Sequence, residues 1–362
     1  MHKEPLFHII KRPAIEWYKS WGIRLAAVVL ALIVAGIVTL LLTGLNPIKV
    51  YATMIDGAVG TERRIWALAQ KTAMLLCIAL ALTPAFRMRF WNTGAEGQVL
   101  AGGMAAAAVM LKAAPYVPNW LLFVLMFLSA VVAGAIWGVI PAIFKAKWNT
   151  NETLFTLMMN YIAIQVVGFF VLQWSVPKGS GQIGVINQKT QAGWIPALGG
   201  KAYLINILVV ALITVLIYIY LKYTKHGYEI DVVGESERTA RYIGIDVKKV
   251  IVRTMILSGA ICGIAGFLLV AGSDHTITKD TAGGNGFTAI MVCWLAKFNP
   301  IWMILTALLI CFLQKGAGEI ATMFQLNLSF ADIITGIIIF FIVGSEFFIN
   351  YRLVFRRKEG ER

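Results

Sequence analysis

Apolar residues gather into ten stretches along the chain: Leu25–Leu42, Ile65–Phe86, Trp91–Leu111, Trp120–Pro141, Leu154–Trp174, Tyr203–Leu221, Ile251–Ala271, Gly284–Lys297, Ile301–Leu313 and Leu328–Ile349. A bilayer core about 30 Å thick needs roughly 20 such residues per helix, and most of these stretches meet that length. Gly284–Lys297 and Ile301–Leu313 fall short of it. The pattern predicts an all-α polytopic membrane protein of about ten transmembrane helices. No interval is long enough for a separate soluble domain, so residues 1–362 read as one transmembrane domain with cytoplasmic segments at 1–24, 222–250 and 350–362.

Composition agrees: 59% of the residues are hydrophobic and 14% charged, and the mean hydropathy is +0.76. The formal charge of +14 would suggest nucleic acid in a soluble protein, but here it follows the positive-inside rule, and no nucleic-acid partner is expected. Of the basic residues, 22 fall in the tails and alternate loops that include Arg87, Lys145, Arg241 and Arg357, and 9 fall on the other side, with Lys71 inside a span. That asymmetry places both termini in the cytoplasm. Glu16–Arg24, with Trp17, Tyr18 and Trp21 among basic residues, reads as a short interfacial helix. Ser175–Gly200, rich in Gly, Pro and amides, reads as a long external loop.

The longest inward loop, Lys222–Val250, holds a short predicted helix at Ser236–Tyr242, with Gly234 before it and Gly244 after it as turn and cap. Arg238, Arg241 and Tyr242 recur at three- and four-residue spacing, so they share a face suited to a cytoplasmic partner.

Catalytic chemistry has little support. No G-x-x-x-x-G-K-[ST] phosphate loop occurs, so ATP use would belong to another chain, and no cofactor is expected in this one. His2, His8, His226 and His275 stand apart, and Cys77, Cys262, Cys293 and Cys311 sit singly in apolar runs, without metal spacing. The informative residues are polar ones inside spans. In Phe90–Met110, Asn92 and Glu96 fall on one helical stripe with Val99 and Gly103, whereas Gln98 points the opposite way unless the helix is broken. Gly94 and Gly97 would permit such a break, and Gly283–Gly286 opens the eighth stretch similarly. Paired interruptions of this kind point to inverted halves meeting at a membrane-midplane path. A carboxylate at membrane depth is costly without a partner or a water-filled path, so Glu96 either lines the path or is hydrogen-bonded within the bundle. Asn160, on the fifth span, is a further candidate for the path. Glu152, eight residues before it, suits a helix N-terminal cap.

Four motifs together carry a resemblance: NTGAEGQ (Asn92–Gln98), ETLFTLMMNYIA (Glu152–Ala163), GESERTARYIGI (Gly234–Ile245) and GNGFTAIMVCWLAKFNP (Gly284–Pro300). As a set, spread in order over most of the chain, they resemble permease subunits of bacterial ABC importers of the ribose- and branched-chain amino acid-permease-like family, in the branch that includes nucleoside and simple-sugar uptake systems. Cys293–Lys297 departs from the Ala-Leu-Leu-Gly type of run that members commonly carry there. The resemblance implies a cytoplasmic-membrane importer with separate ABC ATP-binding subunits, a second permease chain and an extracytoplasmic solute-binding protein. It also implies that Gly234–Ile245 is the helix that seats in the ATPase. From the residues alone, an ion-coupled secondary transporter of a small polar solute is the alternative, although it would need no cytoplasmic docking helix.

Overall fold

The computed structural model describes residues 7–12, 16–175 and 177–355. His2, Arg357 and the rest of the tail beyond Phe355 lie outside the described residues. Thirteen α-helices are described: α1 (Trp17–Thr43), α2 (Pro47–Val59), α3 (Glu62–Arg87), α4 (Ala95–Ala113), α5 (Asn119–Trp148), α6 (Glu152–Trp174), α7 (Leu204–Tyr223), α8 (Lys225–Glu235), α9 (Glu237–Tyr242), α10 (Val247–Leu269), α11 (Asn285–Leu295), α12 (Pro300–Met323) and α13 (Leu328–Asn350). Among the described residues, eight helices are long and apolar enough to cross a membrane: α1, α3, α5, α6, α7, α10, α12 and α13. The ten predicted stretches match these eight together with α4 and α11. α11 has 11 residues and spans about 16 Å, half a bilayer core.

The chain forms two compact units, residues 1–65 with 312–362, and residues 66–311. In the first, α1 packs on α13 and their ends are tied by an Arg24–Glu346 ion pair at 2.7 Å. Ala31, Ala35, Val50, Met54, Phe330, Ile334 and Ile338 share its core. Two features depart from the expectations. The Glu16–Arg24 stretch is no separate interfacial helix, because the apolar run continues it without a breaker and α1 starts at Trp17. α2 occupies what reads as a loop; it is started by the Asn46 side chain, which accepts from Ile48 N at 2.9 Å, and by Pro47 in the first turn. Beside the expected all-α architecture, one short strand pair is described: β1 (Phe7–Lys11) pairs antiparallel with β2 (Tyr351–Phe355). At the α2–α3 corner Arg64 bonds Asp56 at 2.6 Å and Glu319 of α12.

The second unit is built on α4, α5 and α10. Ala130, Gly134 and Gly138 of α5 face Gly259 and Gly263 of α10 so closely that a β-carbon at Gly134 would overlap the Gly259 carbonyl. Lipid supplies no hydrophobic drive between helices, and small residues that let backbones approach are the usual source of their affinity. α10 ends in a π-turn, Val270–Asp274. The connection from α6 to α7 is a long loop, as expected, and it is pinned to this turn: Ile186 N donates to His275 O and Ile195 N to Ala271 O, both at 2.8 Å, while Trp194 stacks on the His275 ring at 3.8 Å.

Candidate functional site

The centre of the second unit is a pair of interrupted helices. After α3 the chain turns through Arg89, whose φ is +58°, and runs without helix to Gly94, so α4 begins at Ala95 rather than at Trp91. The first N–H groups of a helix lack internal partners, and inside a membrane each must find one. Side chains provide them here. Asn160 of α6 accepts from Gly97 N at 2.8 Å and donates to Thr93 O at 2.8 Å, and Thr93 and Thr156 hydroxyls meet at 2.9 Å. Asn92 Oδ1 accepts from Gly94 N at 3.0 Å, and its Nδ2 donates to Ser258 Oγ on α10 at 3.2 Å.

Asn92 and Gln98 also exchange amide bonds at 3.3 and 3.4 Å. The expected stripe of Asn92 with Glu96 is therefore corrected: Asn92 stands before the helix and pairs with Gln98, the residue expected on the opposite side. The helix break makes that pairing possible.

Glu96 turns toward the other interruption. Its Oε1 accepts from Gly284 N at 2.8 Å and its Oε2 from Gly286 N at 2.7 Å, so one carboxylate caps the start of α11. Negative charge at a helix N-terminus is favoured by the helix dipole as well as by the two hydrogen bonds. A β-carbon at Gly286 would collide with the Glu96 backbone, so only glycine allows this approach. About 25 Å of helix separate Glu96 from Ala113 at the far end of α4, and α11 runs about 16 Å to Trp294, which meets Phe86 at the end of α3, where Gly234 of α8 also packs. Two broken helices thus meet N-terminus to N-terminus deep in the membrane. Asn92, Glu96, Gln98 and Asn160 are 0, 6, 1 and 2% exposed, with their polar atoms directed at one another and at these helix starts.

A second group of residues escapes the sequence reading. Gln165, in the middle of α6, is exposed together with Tyr161 and Phe169 on one helix face. Between the π-turn and α11 the chain descends from the far side to Glu96 and exposes Lys279 and Asp280 on the way, and Phe287 is exposed in the first turn of α11. The Lys279 stem lies against Gly168, about 9 Å inside the far end of α6, and leaves no room there for a β-carbon. Asp280 is close enough to Glu96 for their charges to interact. Exposed amide and charged groups at this depth are costly against lipid tails and ordinarily face a water-filled cavity or a partner. The available signal was the lone amide in the apolar run IAIQVVGFF.

At the loop side, Glu152 does not cap α6. Asn151 does, accepting from Leu154 N at 3.2 Å, and Glu152 pairs with Lys145 at 3.0 Å. The inward loop forms two helices, α8 and α9, rather than one. Ser236 separates them and caps α9 by accepting from Thr239 N at 3.3 Å. Gly234 lies within α8, where it supplies no turn; a β-carbon there would overlap the Arg87 carbonyl. Gly244, at φ +87°, closes α9, with Gly244 N donating to Arg241 O and Ile245 N to Ala240 O. Ala240 faces inward and is fully buried, while Arg238, Arg241 and Tyr242 are exposed, Tyr242 at 92%. Arg241 pairs with Glu237 at 3.3 Å.

The family described as Branched-chain amino acid transport system / permease component matches residues 64–343. The chain is 28% identical to a glucose ABC transporter permease protein of Haloferax volcanii, over 94% of this chain and 92% of the relative. It is 28% identical to a guanosine ABC transporter permease protein of Bacillus subtilis, over 93% and 97%. It is 29% identical to a nucleoside ABC transporter permease protein of Lactococcus lactis subsp. cremoris, over 85% and 86%.

Proposed function

Because this chain belongs to the family of branched-chain amino acid transport system permease components, we propose that it carries a nucleoside-class solute along the exposed face of α6. It is the transmembrane permease subunit of an ABC importer, a multi-pass protein of the cell membrane, and ATP hydrolysis belongs to a separate subunit. Family membership displaces the reading as an ion-coupled transporter. The observation that carries the path is the exposure of Gln165, Lys279 and Asp280 at membrane depth beside the Glu96-capped helix starts. Gln165 and the charged pair suit the hydroxyls of a neutral solute, and Tyr161, Phe169 and Phe287 offer flat apolar faces to a base. Asn92, Glu96, Gln98 and Asn160 form the wall behind this surface and hold its two broken helices in place.

α9 is the contact to the ATP-binding subunit, through Arg238, Arg241 and Tyr242, with Gly234 and Gly244 setting its position. That assigns the α8–α9 side to the cytoplasm, in line with the basic-residue asymmetry, and the β1–β2 pairing supports both chain ends lying on one side. A second permease chain covers the α6 face across the path, and an extracytoplasmic binding protein delivers the solute. The test is ATP-dependent uptake of guanosine and of glucose into proteoliposomes holding the assembled importer with its binding protein. Saturable nucleoside uptake is expected. Uptake of glucose alone would overturn the solute assignment, and ATP-independent uptake would overturn the coupling.

A further inference from the structure

On the α8–α9 side of the second unit, a cavity of about 340 Å³ opens among Arg87 at the end of α3, Tyr218, Leu221 and Lys222 at the end of α7, Asp231 of α8, and Asn299 and Pro300 at the start of α12. It belongs neither to the buried cluster around Glu96 nor to the exposed face of α9. We propose that this cavity binds the phosphate headgroup of an anionic phospholipid.

Three features favour a monoanion in it. Arg87 and Lys222 contribute two positive charges against the one carboxylate of Asp231, which sits 3.5 Å from Arg87. The Tyr218 hydroxyl, 3.0 Å from the Lys222 ammonium, adds a neutral polar group. The 24-residue helix α12 begins at Pro300 on the rim; Ile301 N already donates to the Asn299 side chain at 3.0 Å, so the helix start adds positive potential rather than a free donor.

The cavity also lies at headgroup level. Lys222 sits over the rings of Tyr218 and Tyr223 at 5.3 and 5.4 Å, and Tyr223 and Trp302 are exposed, as in the aromatic belts of membrane proteins. Exposed apolar residues continue from the rim along α7 (Leu212, Val215, Leu216, Ile219) and along α12 (Ile301, Leu305), where acyl chains would lie. Basic pockets between transmembrane helices on the cytoplasmic side commonly take anionic headgroups, and a free phosphate would have no use for the apolar flanks.

The test is native mass spectrometry of the assembled importer, released from nanodiscs of phosphatidylglycerol mixed with phosphatidylcholine. Selective retention of phosphatidylglycerol is expected. Lys222→Gln, at an exposed position, should lower that retention about fivefold, the weight of one basic side chain at an anionic surface. Asp231→Asn should raise it, an increase that a misfolded protein could not mimic. Equal retention of the two lipids, or retention unmoved by both substitutions, overturns the proposal. Displacement of the lipid by excess inorganic phosphate would overturn the lipid assignment, and retention seen only after the ATP-binding subunits are stripped would make the cavity a protein contact instead. None of these outcomes depends on which solute is carried, so this proposal and the solute assignment fail separately.

Discussion

Replacing Glu96 separates a cap from a solute ligand, because its two oxygens have known occupants. Each accepts a backbone N–H at the start of α11, at 2.7 and 2.8 Å. A hydrogen bond to a charged group contributes about 1.5–3 kcal/mol net, and a buried donor left unpaired costs about 1–3 kcal/mol. Glu96→Gln keeps one acceptor but turns an NH2 group toward the other glycine N–H, so it should cost about 1.5–3 kcal/mol. Glu96→Leu orphans both donors and removes the charge from the helix start, for about 3–6 kcal/mol, a large share of the 5–15 kcal/mol that holds a typical domain. The expected order of assembled importer, by size-exclusion yield and thermal midpoint, is wild type above Gln above Leu. Uptake per assembled Gln-variant transporter should stay within about threefold of wild type. A Leu variant that assembles and melts like wild type would refute the cap. A Gln variant that assembles fully but does not transport would make Glu96 a solute ligand.

Other outcomes follow from the same geometry. Gly286→Ala should lose assembled protein as severely as Glu96→Leu, since its β-carbon meets the Glu96 backbone; normal yield on size exclusion would contradict that contact. Arg238→Glu combined with Arg241→Glu should leave the permease in the membrane but uncouple ATP hydrolysis from uptake, because exposed side chains are reversed without touching buried Ala240. Coupled transport at the wild-type rate would count against docking through α9. Burial against Trp194 holds the His275 imidazolium below the ordinary histidine value, so the folded loop prefers the neutral ring. Its stability is then full above about pH 6.5 and falls as pH drops below the unfolded value. Limited proteolysis within 186–195 should accelerate at pH 5.5 relative to pH 7.5, to about the same degree as in His275→Lys; cleavage independent of pH would contradict the stacking argument.

Much of the membrane architecture was legible because apolar length is a strong local signal, and the glycines at 94, 283 and 284 stand at the two helix breaks. Their consequence was not legible. Glu96 and Gly284 lie 188 positions apart, and no periodicity within either segment reveals that one carboxylate joins them. Asn92 was placed on the wrong face because a stripe assumes a continuous helix. Gly234 was read for its conformational freedom, whereas its role is to let α8 approach the Arg87 carbonyl, a contact visible only in three dimensions. α2 is started by Asn46-Pro47, but its 13 residues are too few for a span, so apolar length alone does not reveal it. The β1–β2 pair was invisible for a related reason: each strand has five residues and pairs only with the other, at the opposite end of the chain.

A solute path along α6 requires that its exposed face be wet. The four cysteines of the chain, Cys77, Cys262, Cys293 and Cys311, are fully buried, so a new thiol can be followed with little background. Gln165→Cys and, on the outward face of α7, Leu216→Cys would be treated with a membrane-impermeant maleimide in the assembled importer, with and without loaded binding protein. Rapid labelling is expected at position 165, slowed when solute is delivered, with no labelling at position 216. Equal protection of the two positions would place α6 against lipid or dry protein and remove the proposed path.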